Sequence, residues 1–312
     1  MKVIVSGGTG FIGRALCRTL VRNGTTVTVL SRQGLPVGMS QQSAVKLVKW
    51  DGTAAGSWET ELESAGAVIN LAGEPIAAGR WTQERKRIIW ESRVKTTQLL
   101  VRAMSHVSGR PPVFINASGV GYYGTSEEKI FDEQDGPGSD FFSDLCRAWE
   151  EAALAARTFG VRVACLRIGM VLERDGGALL KMVPPFRAFV GGPISPGNQW
   201  VSWIHRSDLI GLIDWALSDE GIAGPVNAVA PEAVMMNDFC TALGAALKRP
   251  SWLPVPACAL RLAFGELASF MTSGQRVMPK VALEHGHRFH YARLVDALHA
   301  IFTRKAVREE QS

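Results

Sequence analysis

Three glycines spaced three apart, Gly7, Gly10 and Gly13, punctuate the opening stretch Ser6-Gly7-Gly8-Thr9-Gly10-Phe11-Ile12-Gly13. The chemistry this offers is the holding of phosphate. Gly7 lets the backbone turn sharply off a preceding strand. Gly10, with no side chain, lets a pyrophosphate approach the backbone, and Gly13 lets a helix pack close to a sheet. Thr9, Phe11 and Ile12 complete the expected cofactor loop. N–H groups at the helix start would face the phosphates, helped by the helix dipole. The spacing is G-x-x-G-x-x-G, not the common G-x-G-x-x-G. A second group of residues selects the nucleotide. NAD sites usually place an acid at the end of the second strand, to accept hydrogen bonds from the ribose 2′-OH. Here that strand ends Leu30-Ser31-Arg32, with no acid. Arg32 offers a planar cationic fork suited to a 2′-phosphate, and Ser31 adds a hydroxyl donor. These residues point to NADP(H).

The elements that must position them follow in order. Lys2–Val5 reads as a strand, and a helix-like run follows the glycines. Further strands are expected at Thr26–Leu30, Val45–Val48, Ala67–Ala72, Pro112–Ala117 and Val161–Arg167, with a long helix over Thr82–Met104 and another over Phe141–Thr158. Strands alternating with helices predict an α/β fold, a Rossmann-type doubly wound parallel sheet. After Gly169 the grammar changes. Dense glycine and proline from Gly176 to Gly197 predict loops and short elements. Helices at Ser207–Leu217 and Met236–Leu247 flank a strand at Pro225–Val229, expected to return to the first sheet. Pro250–Pro256 reads as a connector, and helices are expected near Ala257 and over Tyr291–Phe302. The organisation expected is an NADP-binding domain at 1–168, a smaller C-terminal α/β substrate lobe at 169–302 and a flexible tail at 303–312.

Composition narrows the class. The 312 residues are 46% hydrophobic, enough for a full core. The net charge of +5 is spread along the chain, with no basic run interleaved with aromatics, so a nucleic-acid partner is not expected. The five cysteines are odd in number and widely spaced, with no C-x-x-C pair. That reads as reduced thiols in a cytoplasmic compartment, with no metal site. A strand starting at Lys2 leaves no room for a signal peptide, and no apolar stretch approaches about 20 residues, so no membrane association is expected.

Several motifs together resemble the extended short-chain dehydrogenase/reductase superfamily, and within it an atypical epimerase-like branch. They are Ser6–Gly13, Asn70-Leu71-Ala72-Gly73, Ser92–Leu100, Asn116–Gly124, Arg167–Leu172 and the segment Pro185–Leu209. The C-terminal block from Val255 to Phe289 resembles that branch's extra domain of unassigned function. The resemblance implies that Asn70, Leu71, Ala72 and Gly73 lie beside the adenosine. It implies that Arg93 meets a phosphate or the ribose as the long helix passes the cofactor. Arg167 and Val171 would line the nicotinamide. Ser118 would stand where the family's catalytic serine hydrogen-bonds substrate, also touching the cofactor. His205, in Trp203-Ile204-His205-Arg206-Ser207-Asp208, would close a substrate cleft, with Gln199 and Trp200 as further candidates and Asp208 as the helix cap. It also implies a homodimer through the long helices.

The superfamily's proton-transfer pair is missing. That pair is Y-x-x-x-K, in which an ammonium lowers the pKa of a tyrosine. None of the three tyrosines, Tyr122, Tyr123 and Tyr291, has a lysine four residues on. Aligning Glu150 with the family's trailing glutamate places Phe142 at the tyrosine position and Cys146 at the lysine position. Tyr122 and Tyr123, in a glycine-flanked loop, become the candidate proton donors, with Ser118 beside them. Two functions follow. One is an NADP(H)-dependent oxidoreductase or epimerase acting on a small polar substrate. The alternative is an NADP(H)-binding sensor or scaffold with reduced catalysis.

Overall fold

Seven short runs become one parallel sheet in the computed structural model, which describes residues 1–34 and 44–303. The strands are β1 (Lys2–Ser6), β2 (Thr26–Ser31), β3 (Val45–Lys49), β4 (Ala67–Asn70), β5 (Val113–Gly119), β6 (Arg162–Ile168) and β7 (Gly224–Ala228). Their spatial order is β3-β2-β1-β4-β5-β6-β7, the doubly wound Rossmann order with one added strand. The order reverses between β1 and β4. Loops leaving those two strands diverge, and the crevice between them is where such sheets bind ligands.

The helices are α1 (Phe11–Arg22), α2 (Gln83–Glu91), α3 (Val94–His106), α4 (Phe141–Leu154), α5 (Gly177–Arg187), α6 (Arg206–Ser218), α7 (Met236–Leu247), α8 (Ala257–Phe264), α9 (Leu267–Met271), α10 (Lys280–Glu284) and α11 (Leu294–Thr303). Successive strand residues point to opposite faces, and both faces are covered. Val3, Val5 and Ile69 pack against Leu16 and Leu20 of α1 and Leu209 and Ile213 of α6. Ile4, Val68 and Phe114 pack against Leu100 and Met104 of α3 and Ala153 of α4. Beyond β6 a further core gathers Leu179 and Phe186 of α5, Phe239 and Leu243 of α7, Leu298 of α11 and Trp203. Two short strands, Met170–Glu173 and Trp203–His205, pair in parallel at its edge.

Three expectations are corrected. The helix predicted over Thr82–Met104 is two helices, broken at Ser92 and Arg93. Ser92 Oγ donates back to Ile89 O at 3.0 Å, and the Arg93 guanidinium donates to the same carbonyl at 3.2 Å. Side chains thus take an acceptor the helix ladder would use. The glycine- and proline-rich stretch after Gly176 holds α5, in spite of Pro184 and Pro185 inside it. Burial of Leu179, Val183 and Phe186 on one face outweighs the two missing donors. The cap of α6 is His205, not Asp208: the His205 ring nitrogen accepts from Ser207 N at 3.1 Å. The tail expected to be flexible lies, from residue 304, outside the described residues.

Cys17, Cys146, Cys165 and Cys240 are buried and Cys258 is exposed. Burial pushes the thiols of Cys17, Cys146 and Cys240 up to about 12. Among the described residues no helix is long and apolar enough to cross a membrane, and no cluster of His, Cys, Asp or Glu could hold a metal ion.

Candidate cofactor and active site

The loop from β1 into α1 requires its glycines. Gly7 has φ +72°, and a Cβ there would stand 2.6 Å from the Leu71 carbonyl oxygen. A Cβ on Gly13 would run into the Gly7 carbonyl. The backbone therefore lies closer to its neighbours than side chains permit. Gly10 is the N-cap of α1, with no side-chain cap and no acid in the first turn. Such an end, uncapped and free of negative charge, fits an anionic phosphate. Thr9 Oγ1 lies 3.4 Å from Ser31 Oγ, joining the loop to the end of β2. Ile12 packs toward the core. The Phe11 ring rests against the Gly176-Gly177 turn, with the Arg206 guanidinium 4.9 Å from its centroid. Phe11 thus couples the loop to the C-terminal half.

Asn70 ends β4 fully buried. It accepts from Ser6 Oγ at 2.5 Å and donates to Thr97 Oγ1 at 2.9 Å and Asn116 Oδ1 at 2.7 Å. This amide ties β1, β4, β5 and α3 together beneath the crevice. Its Oδ1 also accepts from Ala72 N at 3.2 Å, setting the course of Leu71, Ala72 and Gly73. Arg93, the N-cap of α3, packs its guanidinium against Gly73, 5.3 Å from the Trp149 ring centroid. Its Nη2 donates to the Glu74 carbonyl at 3.0 Å. Burial lowers its pKa to about 10. Arg32 is exposed and pairs with the Glu74 carboxylate at 2.8 Å.

Further along the sheet edge lies a buried polar network. Arg167, on β6, donates from Nε and Nη2 to the two Glu150 oxygens, each at 2.9 Å. Burial works against the Arg167 charge, but hydrogen bonds and charge from Glu150 more than offset it, and its pKa rises. Ser118 Oγ donates to Glu150 Oε1 at 2.7 Å. Arg167 Nη1 donates to Tyr123 Oη at 2.9 Å, and that phenol donates to Asn227 Oδ1 at 2.7 Å. Tyr123 is buried, which pushes its pKa up despite these partners. Tyr122 is different. It is half-buried, and the Arg167 guanidinium lies 3.5 Å from its ring centroid. Burial raises the Tyr122 phenol and the charge of Arg167 opposes the rise. The network brings Ser118, Tyr122, Tyr123 and Arg167 together, but engages the Tyr123 proton internally.

The positions aligned with Y-x-x-x-K carry no ionisable acid–base pair. Phe142 packs against Trp81 at 5.0 Å and against Phe270 of α9 at 4.1 Å, centroid to centroid. Cys146 is buried beside Gly119.

The remaining candidates are held by structure. Gln199 spends its amide on the backbone: Oε1 accepts from Gly197 N at 2.7 Å, and Nε2 donates to Ile194 O at 3.0 Å and Met271 O at 3.3 Å. Trp200 donates to Glu127 O at 2.8 Å and lines a polar cavity of about 260 Å³ with Ser126, Asn198 and Thr272. His205 is buried, capping α6 with its ring 4.2 Å from that of Tyr291. Asp208 accepts from His290 N at 3.0 Å and Tyr291 N at 2.9 Å, anchoring the chain before α11. Val171 is half-buried on the strand beside Ile204.

Residue reasoning missed two groups and the reach of a third. Glu150, a possible base expected to pair with a neighbouring arginine or stay solvated, pairs with Arg167 from another element and also holds Ser118. Glu133 is buried and accepts from Asn227 N at 2.9 Å and Val281 N at 3.3 Å. Glu74 pairs with Arg32 just past the end of β2. For Glu150 a signal existed, its alignment with the family's trailing glutamate. For the other two the sequence carried none.

Comparison with known proteins gives concordant matches. A model described as the NAD dependent epimerase/dehydratase family matches residues 3–228, and one described as a domain of unknown function, DUF1731, matches residues 255–301. The epimerase family protein SDR39U1 homolog, chloroplastic, of Arabidopsis thaliana is 42% identical over 307 residues, covering 96% of this chain and 86% of that protein. The epimerase family protein YfhF of Bacillus subtilis is 38% identical over 299 residues, covering 96% and 97%. The crystal structure of human epimerase family protein SDR39U1 (isoform 2) with NADPH has a TM-score of 0.88 at 36% identity, covering 98% of this chain and 100% of that one. UDP-glucuronic acid 4-epimerase from Bacillus cereus, at 18% identity and a TM-score of 0.78 over 97% and 98% of the two chains, shares the fold.

Proposed function

The chain belongs to the NAD dependent epimerase/dehydratase family, and from that membership we propose that it binds NADP(H) and transfers hydride to or from a small polar substrate, with Tyr122 moving the proton. The observation that carries this reading is the uncapped, acid-free start of α1 beside Arg32, the first residue after β2. The similar human protein solved with NADPH supports it.

When bound, NADPH supplies a hydride, and the accompanying proton must come from protein or water. The glycine loop and α1 would hold the pyrophosphate, Arg32 and Ser31 the 2′-phosphate, and Arg93 a ribose hydroxyl or phosphate. Ser118 gives its own hydrogen to Glu150, so its oxygen offers lone pairs and would accept from a substrate or ribose hydroxyl. Tyr122 can give its phenolic proton to a carbonyl oxygen in reduction and take one back in oxidation. Arg167 on its ring face stabilises the phenolate, standing in for the absent lysine. Tyr123, donating to Asn227, positions Arg167 from below.

The buried Phe142 and Cys146 favour a second reading, a cofactor-binding sensor without turnover. Titration of the protein's nine tryptophans by NADPH and NADH tests the first step. NADPH should bind at least about tenfold tighter, and Arg32→Asp should reverse the preference. Equal binding of both by wild type removes the NADP(H) assignment. Turnover is then sought as NADPH oxidation with small aldehydes, ketones and keto-sugars; binding without turnover on any of them favours the sensor.

A further inference from the structure

Glu74 stands where two arginines meet. Strands β2 and β4 flank β1, so Arg32 just past β2 and Glu74 just past β4 rise on opposite sides of the glycine loop. Arg32 Nη2 donates to Glu74 Oε1 at 2.8 Å, and Arg85 Nη1 lies 3.7 Å from Oε2. The Glu74 main chain is fixed on both sides. Its N–H donates to Ser92 Oγ at 3.1 Å, and its carbonyl accepts from Arg93 Nη2 at 3.0 Å. The Glu74 side chain is 21% exposed, against 66% for that of Arg32. Its carboxylate is aimed at the arginine from a fixed base.

We propose that Glu74 is an internal competitor for the 2′-phosphate: its carboxylate holds Arg32 until the phosphate of NADP(H) takes that guanidinium, and it then rests on Arg85. This rests on the NADP(H) reading above. Carboxylate and phosphate are both acceptors for the same planar fork, and the two anions repel when adjacent. Glu74 cannot swing far, because Ser92 and Arg93 pin its backbone. Arg85, already near the second oxygen, lets the exchange proceed without leaving a charge unpaired. A 2′-hydroxyl carries no charge and does not force the exchange. Glu74 therefore weakens the binding of the phosphorylated cofactor and leaves that of the unphosphorylated one unchanged.

An exposed pair of this kind is worth about two- to fivefold in an equilibrium constant, and relief of repulsion adds to it. The test is calorimetric titration of the full chain and of Glu74→Gln with NADPH, NADH and adenosine 2′,5′-bisphosphate. In Glu74→Gln, NADPH and the bisphosphate are expected to bind roughly three- to tenfold tighter, with NADH unchanged. In an Arg32→Gln background the same substitution should gain less than about twofold, because the competitor has lost its object. Thermal melting checks folding; the pinning bonds of Glu74 run through its main chain and survive the change. Unchanged or weaker NADPH binding by Glu74→Gln overturns the proposal, since Glu74 would then orient Arg32 for the phosphate. Equal tightening of NADH overturns it too. If wild type shows no preference for NADPH, the NADP(H) reading itself falls, and this inference with it.

Discussion

Two adjacent tyrosines meet one guanidinium in different ways. Tyr123 accepts from Arg167 at its phenol oxygen and passes its own hydrogen to Asn227. Tyr122 lies face-on over the cation, half-buried. Tyr122→Phe is expected to lower turnover by about a hundredfold or more with little change in stability. Tyr123→Phe is expected to cost about 1–2 kcal/mol in urea unfolding, because buried groups lose a partner, and to reduce turnover less. The sign of the pH dependence follows from the raised Tyr122 phenol. Reduction needs the protonated form, which persists through neutral pH, so its rate should be flat there. Oxidation needs the phenolate and should rise about tenfold per pH unit through that range, a slope that Tyr122→Phe abolishes. Glu150→Ala leaves Arg167 buried without its carboxylate and should destabilise the chain by about 3–5 kcal/mol in the same unfolding measurement. The types of these residues were legible in the sequence, but their pairings were not. Ser118 and Glu150 are 32 positions apart, and Tyr123 and Asn227 are 104 apart. No local spacing encodes such contacts.

At the scale of elements, the break between α2 and α3 does positional work. It puts Arg93 at a helix start, against Gly73 and over Trp149, where an unbroken helix would keep its carbonyls for its own ladder. Arg93→Ala should lower stability by about 2 kcal/mol, from its lost hydrogen bonds and the stacking contact. It should also weaken NADPH about tenfold in a fluorescence titration. A loss of stability without any loss of affinity would leave Arg93 a purely structural brace. The break escaped the sequence because apolar positions keep the helical period on both sides of it. Its cause is a pair of side-chain hydrogen bonds to Ile89, which hydrophobic periodicity does not register. The helix α5 escaped for the opposite reason: local proline content argued against it, and tertiary burial prevailed.

At the scale of the molecule, the sheet order was the most legible feature. Alternating strands and helices, opened by a glycine turn, leave few topologies, and the parallel Rossmann order is among them. The C-terminal half was less legible, since its short strands are held by partners distant in sequence. Its contact with the first half is nonetheless intimate. Phe11 of the glycine loop is seated on the Gly176-Gly177 turn, and Phe270 of α9 covers Phe142. The unequal burial of the thiols offers a chemist a single handle on that contact. In the folded chain a maleimide should attach once, at Cys258 in α8, and five times after unfolding, as intact mass would record. A fluorophore placed there would sit on the segment leading to Phe270. Its emission during cofactor and substrate addition would report whether that cover lifts to admit a guest.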